Sequence, residues 1–390
     1  MRNRRGRSEA ARPALGPNAS LIGKRRARAR LWTPALLLDL DAFEHNVLTM
    51  ADLCRDAGKL LRPHAKSHKS STIARRQLAA GAVGICVATV REAAAMIHAG
   101  IGDVLITSPI VGEAKLDAVA RLAAIARGLI VVVDSLEAVQ LLERHMRRAG
   151  GTVGVLMDVD VGMGRAGVSD LGQAGKIAAR LQVSDSLEFL GLQCYSGIIQ
   201  HIPKLSIRTR TYGRELRQLE KVIEVLDGQG FTPRIVSGGG TGSFYVDSVR
   251  KLLTESQAGS YVFMDQQYNA VELLPASKHP FRTSLFVQSM VLSNNHPGAA
   301  TLDAGFKSFS MDGPVPVPGR GAPRGSTFQF YGDEFGMLRF PAAARRMRLG
   351  SKVEFVTPHC DPTANLHDFY HCVRGDRLVD IWPIDARGTL

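Results

Sequence analysis

A chain of 390 residues, 45% of them hydrophobic, can bury a large core and is long enough for two domains or for one barrel with an addition. No run of about 18 apolar residues is free of charge or glycine, which excludes a predicted membrane span. Five cysteines without a CxxC pair exclude a disulfide framework and fit reduced thiols in a cytoplasmic enzyme.

The net charge of +13 is concentrated at one end, because residues 1–30 carry ten Lys/Arg against Glu9 alone. This segment reads as a disordered, solvated arm without the hydrophobic core of a secretion signal. Its charge would also suit nucleic acid, anionic lipid or a targeting role. Neither a nucleic-acid nor a membrane partner is expected for the chain as a whole.

After the arm, Thr33-Pro34 opens ALLLDLD, a strand-like apolar run, and the amphipathic stretch Phe43–Ala57 follows as a helix. The alternation then repeats: LLRPHAK and the helix Ser70–Ala80, AVGICVA and Arg91–Ala99, DVLIT and Glu113–Ala126, GLIVVVD and Leu136–Arg148. It continues with TVGVLMDVD and Asp170–Leu181, LEFLGLQCY and Ile207–Asp227, PRIVSGG and a short helix near Ser248–Leu253, and ends with SYVFMD at Ser260–Asp265. Counted from Leu60 these are eight strands in about 220 residues, the arithmetic of a (β/α)8 barrel over 42–275. An open doubly wound sheet has the same local pattern and is the alternative. From 276 to 390 the pattern changes to short strands separated by Gly, Pro and Asn, a β-domain without long helices that the strand at 33–41 is expected to join.

Chemistry in a barrel sits where strands end. Strand one ends in LLRPHAKSHK, Leu60–Lys69. If Pro63 starts an extended run, His64, Lys66 and His68 share a face. Arg62, Lys69 and any protonated histidine then lower the Lys66 pKa toward the neutral amine that condenses with a carbonyl. A basic solvated loop is the plainer reading. Strand seven ends in SGGGTGS, where Ser237, Gly238, Gly239, Thr241 and Ser243 offer N–H and hydroxyl groups to a phosphate; a tight loop would use the same glycines. An amine on strand one and a phosphate cradle on strand seven together are what pyridoxal phosphate requires.

Arg165, after DVDVGMG, could face the ring of such a cofactor or pair with Asp158 or Asp160. Tyr195 offers a ring and a hydroxyl, or fills core. His201 could reach the same rim as a base, or be structural. In the β-domain, Thr357-Pro358-His359-Cys360-Asp361-Pro362 is expected to be extended, with His359 and Asp361 on one face. One imidazole and one carboxylate suit Mn²⁺ or Mg²⁺ at least as well as Zn²⁺; a hydrogen-bonded turn is the alternative.

At these residues the chain resembles the D-threonine aldolase and D-serine dehydratase-like family, which shares the alanine racemase fold. The likeness spans about Trp32 to Arg387 and rests on TPALLLDLDAFEHN, LRPHAKSHKS, SGGGTGS, GSYVFMD, LDAGFKSFSMDG, PHCDPTANLHDFY and WPIDARG. It implies pyridoxal phosphate on Lys66, a divalent metal on His359 and Asp361, Arg165 toward the pyridine nitrogen, and Tyr195 and His201 in the substrate pocket. It also implies a homodimer with its site between domains. The implied reaction is retro-aldol cleavage of a D-β-hydroxy-α-amino acid to glycine and an aldehyde. A D-serine-type dehydratase and a cofactor carrier without turnover are the alternatives. Dehydratase-like members read HxC where this chain reads HCD, and a carboxylate ligand favours the aldolase. Two departures stand out: Asp333-Glu334-Phe335-Gly336 where relatives often read DEHG, and Tyr195-Ser196-Gly197 where they read YHG.

Overall fold

The computed structural model describes residues 15–277 and 279–389. Strand β1 (Ala35–Asp39) runs straight into α1 (Leu40–Asp56), whose first turn is capped by the Asp39 carboxylate accepting the Ala42 N–H at 3.1 Å. The barrel strands follow as β2 (Leu60–Leu61), β3 (Ile85–Val87), β4 (Asp103–Ile106), β5 (Gly128–Val133), β6 (Val153–Val159), β7 (Leu187–Cys194), β8 (Ile235–Gly238) and β9 (Glu255–Ser256). Between them lie α2 (Ser71–Ala79), α3 (Val90–His98), α4 (Glu113–Ala123), α5 (Leu136–Ala149), α6 (Leu171–Gln182), α7 (Leu205–Gly228) and α8 (Phe244–Arg250).

All eight strands pair in parallel, in the order β2-β9-β8-β7-β6-β5-β4-β3. The two ends of that order also meet, since Val83 N–H donates to Leu61 O and Cys86 N–H to Pro63 O, each at 2.9 Å. The sheet therefore closes into a barrel, and the open alternative falls away. Cys86, Leu105, Ile130, Val132 and Leu156 fill its interior, while a larger apolar layer lies between strands and helices. With the middle plugged, only the mouth is left for chemistry.

The eighth strand is not where the sequence pattern put it. Ser260–Val262 forms a 3₁₀ turn, and β9 is the polar pair Glu255–Ser256. Tyr261, Val262, Phe263 and Met264 are apolar because they are buried in the core shared with α1 and the β-domain, not because they form a strand. Glu255 faces inward as the partner of Arg62, with Nε to Oε1 at 2.9 Å.

Past α9 (Gln266–Asn269) the β-domain contains β10 (Leu285–Ser293), β11 (Ala299–Leu302), β12 (Val317–Pro318), β13 (Thr327–Phe330), β14 (Gly336–Arg339) and β15 (Lys352–Val356). A helical turn, α10 (Cys360–Asn365), then leads to β16 (Phe369–Arg374) and β17 (Arg377–Pro383). Strand β1 lies in this sheet, antiparallel to β10 and parallel to β16. The segment just after Lys66 is stitched to the same domain. Tyr370 Oη donates to His68 O at 2.7 Å, Ser70 Oγ to Pro383 O at 2.8 Å, and Lys69 Nζ to Asn365 Oδ1 at 2.9 Å.

The solvated-arm expectation fails for residues 15–30; residues 1–14 lie outside the described residues. Leu21, Ala27 and Leu31 pack with Leu37, Val373, Leu378 and Ile381 on the outer face of the sheet. Arg28 is buried against Glu354 through two bonds, Nε to Oε1 at 2.7 Å and a second guanidinium nitrogen to Oε2 at 2.6 Å. Its charge is spent inside the protein and does not face a polyanion. Among the described residues no helix is long and apolar enough to cross a membrane. Removing one partner of a buried pair strands the other, so Arg28→Ala should cost about 3–5 kcal/mol in a urea titration. A loss no larger than that of an exposed arginine would show that the segment does not hold the sheet.

Candidate active site

Pro63 is followed by a tight turn, not an extended run. His64 is the N-cap and Ala65–Ser67 form a 3₁₀ helix, so His64 and Lys66 reach the barrel mouth while His68 turns into the core. There His68 Nδ1 accepts the Ser70 N–H at 3.1 Å, which leaves Nε2–H to donate to Gln77 Oε1 at 3.2 Å. The cations expected to depress Lys66 are engaged elsewhere: Arg62 with Glu255, and Lys69 with Glu92 at 3.2 Å. Lys66 Nζ instead lies 3.3 Å from Asp361 Oδ2. That carboxylate raises the ammonium pKa against the opposing effect of burial, with Tyr195 adding to it. The expected direction of the Lys66 shift is therefore reversed, because an acid and not a cluster of cations faces the amine.

Lys66 borders a cavity of about 250 Å³ whose walls include His64, Asp158, Arg165, Gln193 and Tyr195. Its floor is an amide network: Gln193 Nε2 donates to Thr107 O at 2.9 Å and to Asp158 Oδ1 at 3.0 Å, and Gln257 Nε2 donates to Ser237 Oγ at 2.9 Å and to Gln193 Oε1 at 3.2 Å. Burial pushes the Asp158 carboxyl up to about 7, against the Gln193 hydrogen bond. The loop carrying Arg165 winds around Asp160, whose carboxylate accepts the amides of Gly162, Met163 and Gly164. Among the described residues no acid forms an ion pair with Arg165, which rules out the salt-bridge alternative. Its guanidinium carbon sits 5.7 Å from the centre of the Tyr195 ring.

The glycine loop stands apart from these walls. Gln257 joins it to the floor through Ser237, but Gly238, Gly239 and Thr241 do not line the cavity. Gly240 N–H is taken by Ser243 Oγ at 2.9 Å and Gly242 N–H by Gln200 Oε1 at 2.8 Å. A Cβ on Gly240 would come within 2.6 Å of Gln200 Oε1, and one on Gly242 would overlap the Gln200 backbone. Those two glycines thus serve the loop's own close packing. The amides of Gly239 and Thr241 meet no acceptor among the described residues. These unmatched donors are the groups left for a phosphate.

Across the mouth, His359 is the N-cap of α10 and Asp361 lies in its first turn, where an extended segment was expected. A helical start brings the two side chains together all the same, His359 Nε2 to Asp361 Oδ1 being 3.9 Å. Asp312 Oδ2 holds His359 Nδ1 at 2.7 Å, so Nε2 is the nitrogen turned toward Asp361. Ser260 Oγ and Cys360 Sγ each donate to Asp361 Oδ1 at 3.2 Å. Burial alone would raise the Asp361 pKa, yet Lys66 and His359 hold it well below the ordinary carboxylate range. Burial pushes the Cys360 thiol far up, and its hydrogen is given to Asp361. Among the described residues no group of three or more His, Cys, Asp or Glu could hold a metal. A cation on His359 and Asp361 would keep water in its other positions.

The His201 ring centre lies 6.5 Å from that of His359 and 4.6 Å from that of Tyr268. Burial, then His359, push its pKa down to about 4, so the imidazole is neutral. Sequence reasoning missed Asp312, Gln193, Gln257 and Gln200. Asp312 stands 47 residues before its partner in a Gly- and Pro-rich stretch where nothing local announces it.

The family model of the alanine racemase N-terminal domain matches residues 38–267, and a serine dehydratase domain model matches 284–373. The chain is 39% identical over 361 residues to the D-threonine aldolase of an Arthrobacter species, covering 92% of this chain and 94% of that protein. It is 34% identical over 365 residues to the 3-hydroxy-D-aspartate aldolase of Paracoccus denitrificans (strain Pd 1222), covering 92% and 93%. The crystal structure of D-threonine aldolase from Filomicrobium marinum superposes with a TM-score of 0.88 at 41% identity, covering 92% of this chain and 96% of that one.

His68 makes acid stability a test of the turn. Burial lowers its pKa from 6.5 to about 4. Above the unfolded value the ring is neutral in both states; as pH falls below it, the unfolded chain takes up the proton first. Folding free energy should therefore drop by up to about 1.4 kcal/mol per pH unit between those two values. Urea midpoints measured across that range should fall less steeply in His68→Asn, and an unchanged slope would contradict the buried, neutral ring.

Proposed function

The chain belongs to the alanine racemase-fold family that includes the D-threonine and 3-hydroxy-D-aspartate aldolases, and we propose the residue roles by which it carries out their retro-aldol reaction. It cleaves D-β-hydroxy-α-amino acids to glycine and an aldehyde. The observation that carries the assignment of roles is the 3.3 Å approach of Lys66 Nζ to Asp361 Oδ2, which sets an amine of the barrel against a carboxylate of the β-domain across one mouth.

Pyridoxal 5'-phosphate fits the residues present. Lys66 would anchor it, Arg165 and Tyr195 would border its ring, and Gly239 and Thr241 would supply amides that lack acceptors among the described residues, with Ser237 and Gly238 leading into that loop. Bound there, it supplies the electron sink for the bond broken at Cα. His359 and Asp361 form the donor pair for a hydrated divalent ion, Mn²⁺ or Mg²⁺, whose contribution is Lewis acidity at a β-hydroxyl.

His201 is the proton acceptor. Its Nδ1 is buried, so Nε2 is left to meet the substrate. Asp312 orients His359 and thereby the ion site. Arg165, in no ion pair with an acid among the described residues, brings a fixed positive charge to the cavity wall. The aldolase reading is favoured over the dehydratase alternative because Cys360 donates its thiol hydrogen to Asp361, which leaves the carboxylate as the second donor beside His359.

Incubation of the holoenzyme with D-threonine should yield glycine and acetaldehyde, with the activity lost on chelation and restored by Mn²⁺. Formation of 2-oxobutanoate and ammonia instead would overturn the reading. His201→Asn should lower kcat by about 10²–10⁴-fold while the cofactor's visible band is retained.

A further inference from the structure

His64 occupies an unusual place for a histidine. N-caps are ordinarily Ser, Thr, Asp or Asn, whose short side chains accept a nearby amide. Here the ring does so: Lys66 N–H donates to His64 Nδ1 at 3.3 Å. That nitrogen must therefore be unprotonated, and a neutral ring carries its hydrogen on Nε2. Nε2 lies 3.0 Å from Thr107 Oγ1, and the Thr107 hydroxyl donates onward to Val87 O at 3.1 Å. The polarity of the chain is fixed at every step, from the Lys66 amide through the ring and the hydroxyl to a backbone carbonyl of β3.

The backbone of His64 is held as firmly as its ring. His64 N–H donates to Ala258 O at 3.3 Å, and Ser67 Oγ donates to His64 O at 3.2 Å. A Cβ on Gly259 would come within 2.7 Å of His64 O, so the chain beyond β9 presses against the turn. His64 also makes the parallel bridge to Cys86 at the seam where the barrel closes. An aspartate or serine cap would satisfy the Lys66 amide but would stop short of Thr107. Only the ring braces the turn across the seam to the residue that follows β4.

We propose that His64 is a positioning residue for Lys66: locked as the Nε2–H tautomer, it caps the turn that presents the amine and braces it against Thr107. This rests on the reading of Lys66 as cofactor anchor. His64 lines the same cavity as Lys66, yet its Nδ1 lone pair is in use and Nε2 carries a proton, so it is not the reaction's base. Burial and the neighbouring Lys66 keep the ring neutral, with Asp361 opposing and His68 assisting.

Two measurements test this. In protein labelled with ¹⁵N-histidine, with His64→Asn supplying the assignment, the His64 signals should be those of the Nε2–H tautomer and should not move between about pH 8 and about pH 5.5. An Nδ1–H tautomer, or a ring titrating near its ordinary value of about 6.5, would overturn the proposal. In titrations of apoenzyme with pyridoxal phosphate followed by the visible band, His64→Ala should weaken capture by about tenfold, and His64→Asn, which keeps an acceptor for the Lys66 amide but does not reach Thr107, should recover part of it. Wild-type capture by His64→Ala, or no recovery in His64→Asn, would contradict the capping role. The tautomer measurement needs no cofactor, so a wild-type protein that captures none would sink the anchor reading while leaving the place of His64 decided.

Discussion

The ion pair between Lys66 and Asp361 is the contact on which the site depends, because its two members come from different domains and neither is placed by its own element alone. Lys66 sits on a turn at the end of the first barrel strand, and Asp361 in the first turn of a helix of the β-domain. Their approach is set by the stretch between Lys66 and α2, which is sewn to the β-domain by Tyr370, Ser70 and Asn365. The strand that opens the described fold adds to this, since β1 lies inside the β-sheet and runs directly into the first helix packed on the barrel. The two domains thus share chain and hydrogen bonds at the mouth where the amine and the carboxylate meet.

Keeping Asp361 ionised at this depth requires partners on every side, because a buried unpaired carboxylate costs several kcal/mol, on the order of the whole stability of a domain. Lys66, His359, Ser260 and Cys360 supply them. Asp265 performs the matching task for the backbone, accepting the Cys360 amide at 2.8 Å and the Tyr268 amide at 2.9 Å, and so ties the start of α10 to α9 beside His201. Rigid support of this kind keeps His359 and Asp361 facing the amine without drifting.

Much of this was legible in the sequence, and the failures have physical reasons. The barrel and the β-domain announced themselves through periodicity, and the alternation of apolar strands with amphipathic stretches located seven of the eight strands. The eighth was misplaced because Tyr261–Met264 is apolar for a tertiary reason, burial between α1 and the β-domain, while Glu255–Ser256 is polar since Glu255 neutralises Arg62. An extended chain and a helical start both bring His359 and Asp361 together, and the structure has the helical start, which no ordinary capping residue announces, since His359 makes no side-chain cap bond. The charge state of Lys66 was read from its neighbours in sequence, whereas the acid that governs it lies 295 positions away along the chain. Asp312, Gln193 and Gln257 act through tertiary contacts alone, and no spacing rule reaches them. The packing of residues 15–30 was hidden for a related reason: Arg28 looks like one more charge in a basic run until Glu354 folds against it.

The central claim, that an amine of the barrel faces an ion site of the β-domain across one small cavity, is tested most directly by anomalous diffraction from crystals soaked in Mn²⁺. The account predicts a single strong peak bonded to His359 Nε2 and an Asp361 oxygen, on the side of the pair that faces Lys66. A peak held by other residues, or none at those two at a concentration that supports turnover, would contradict it.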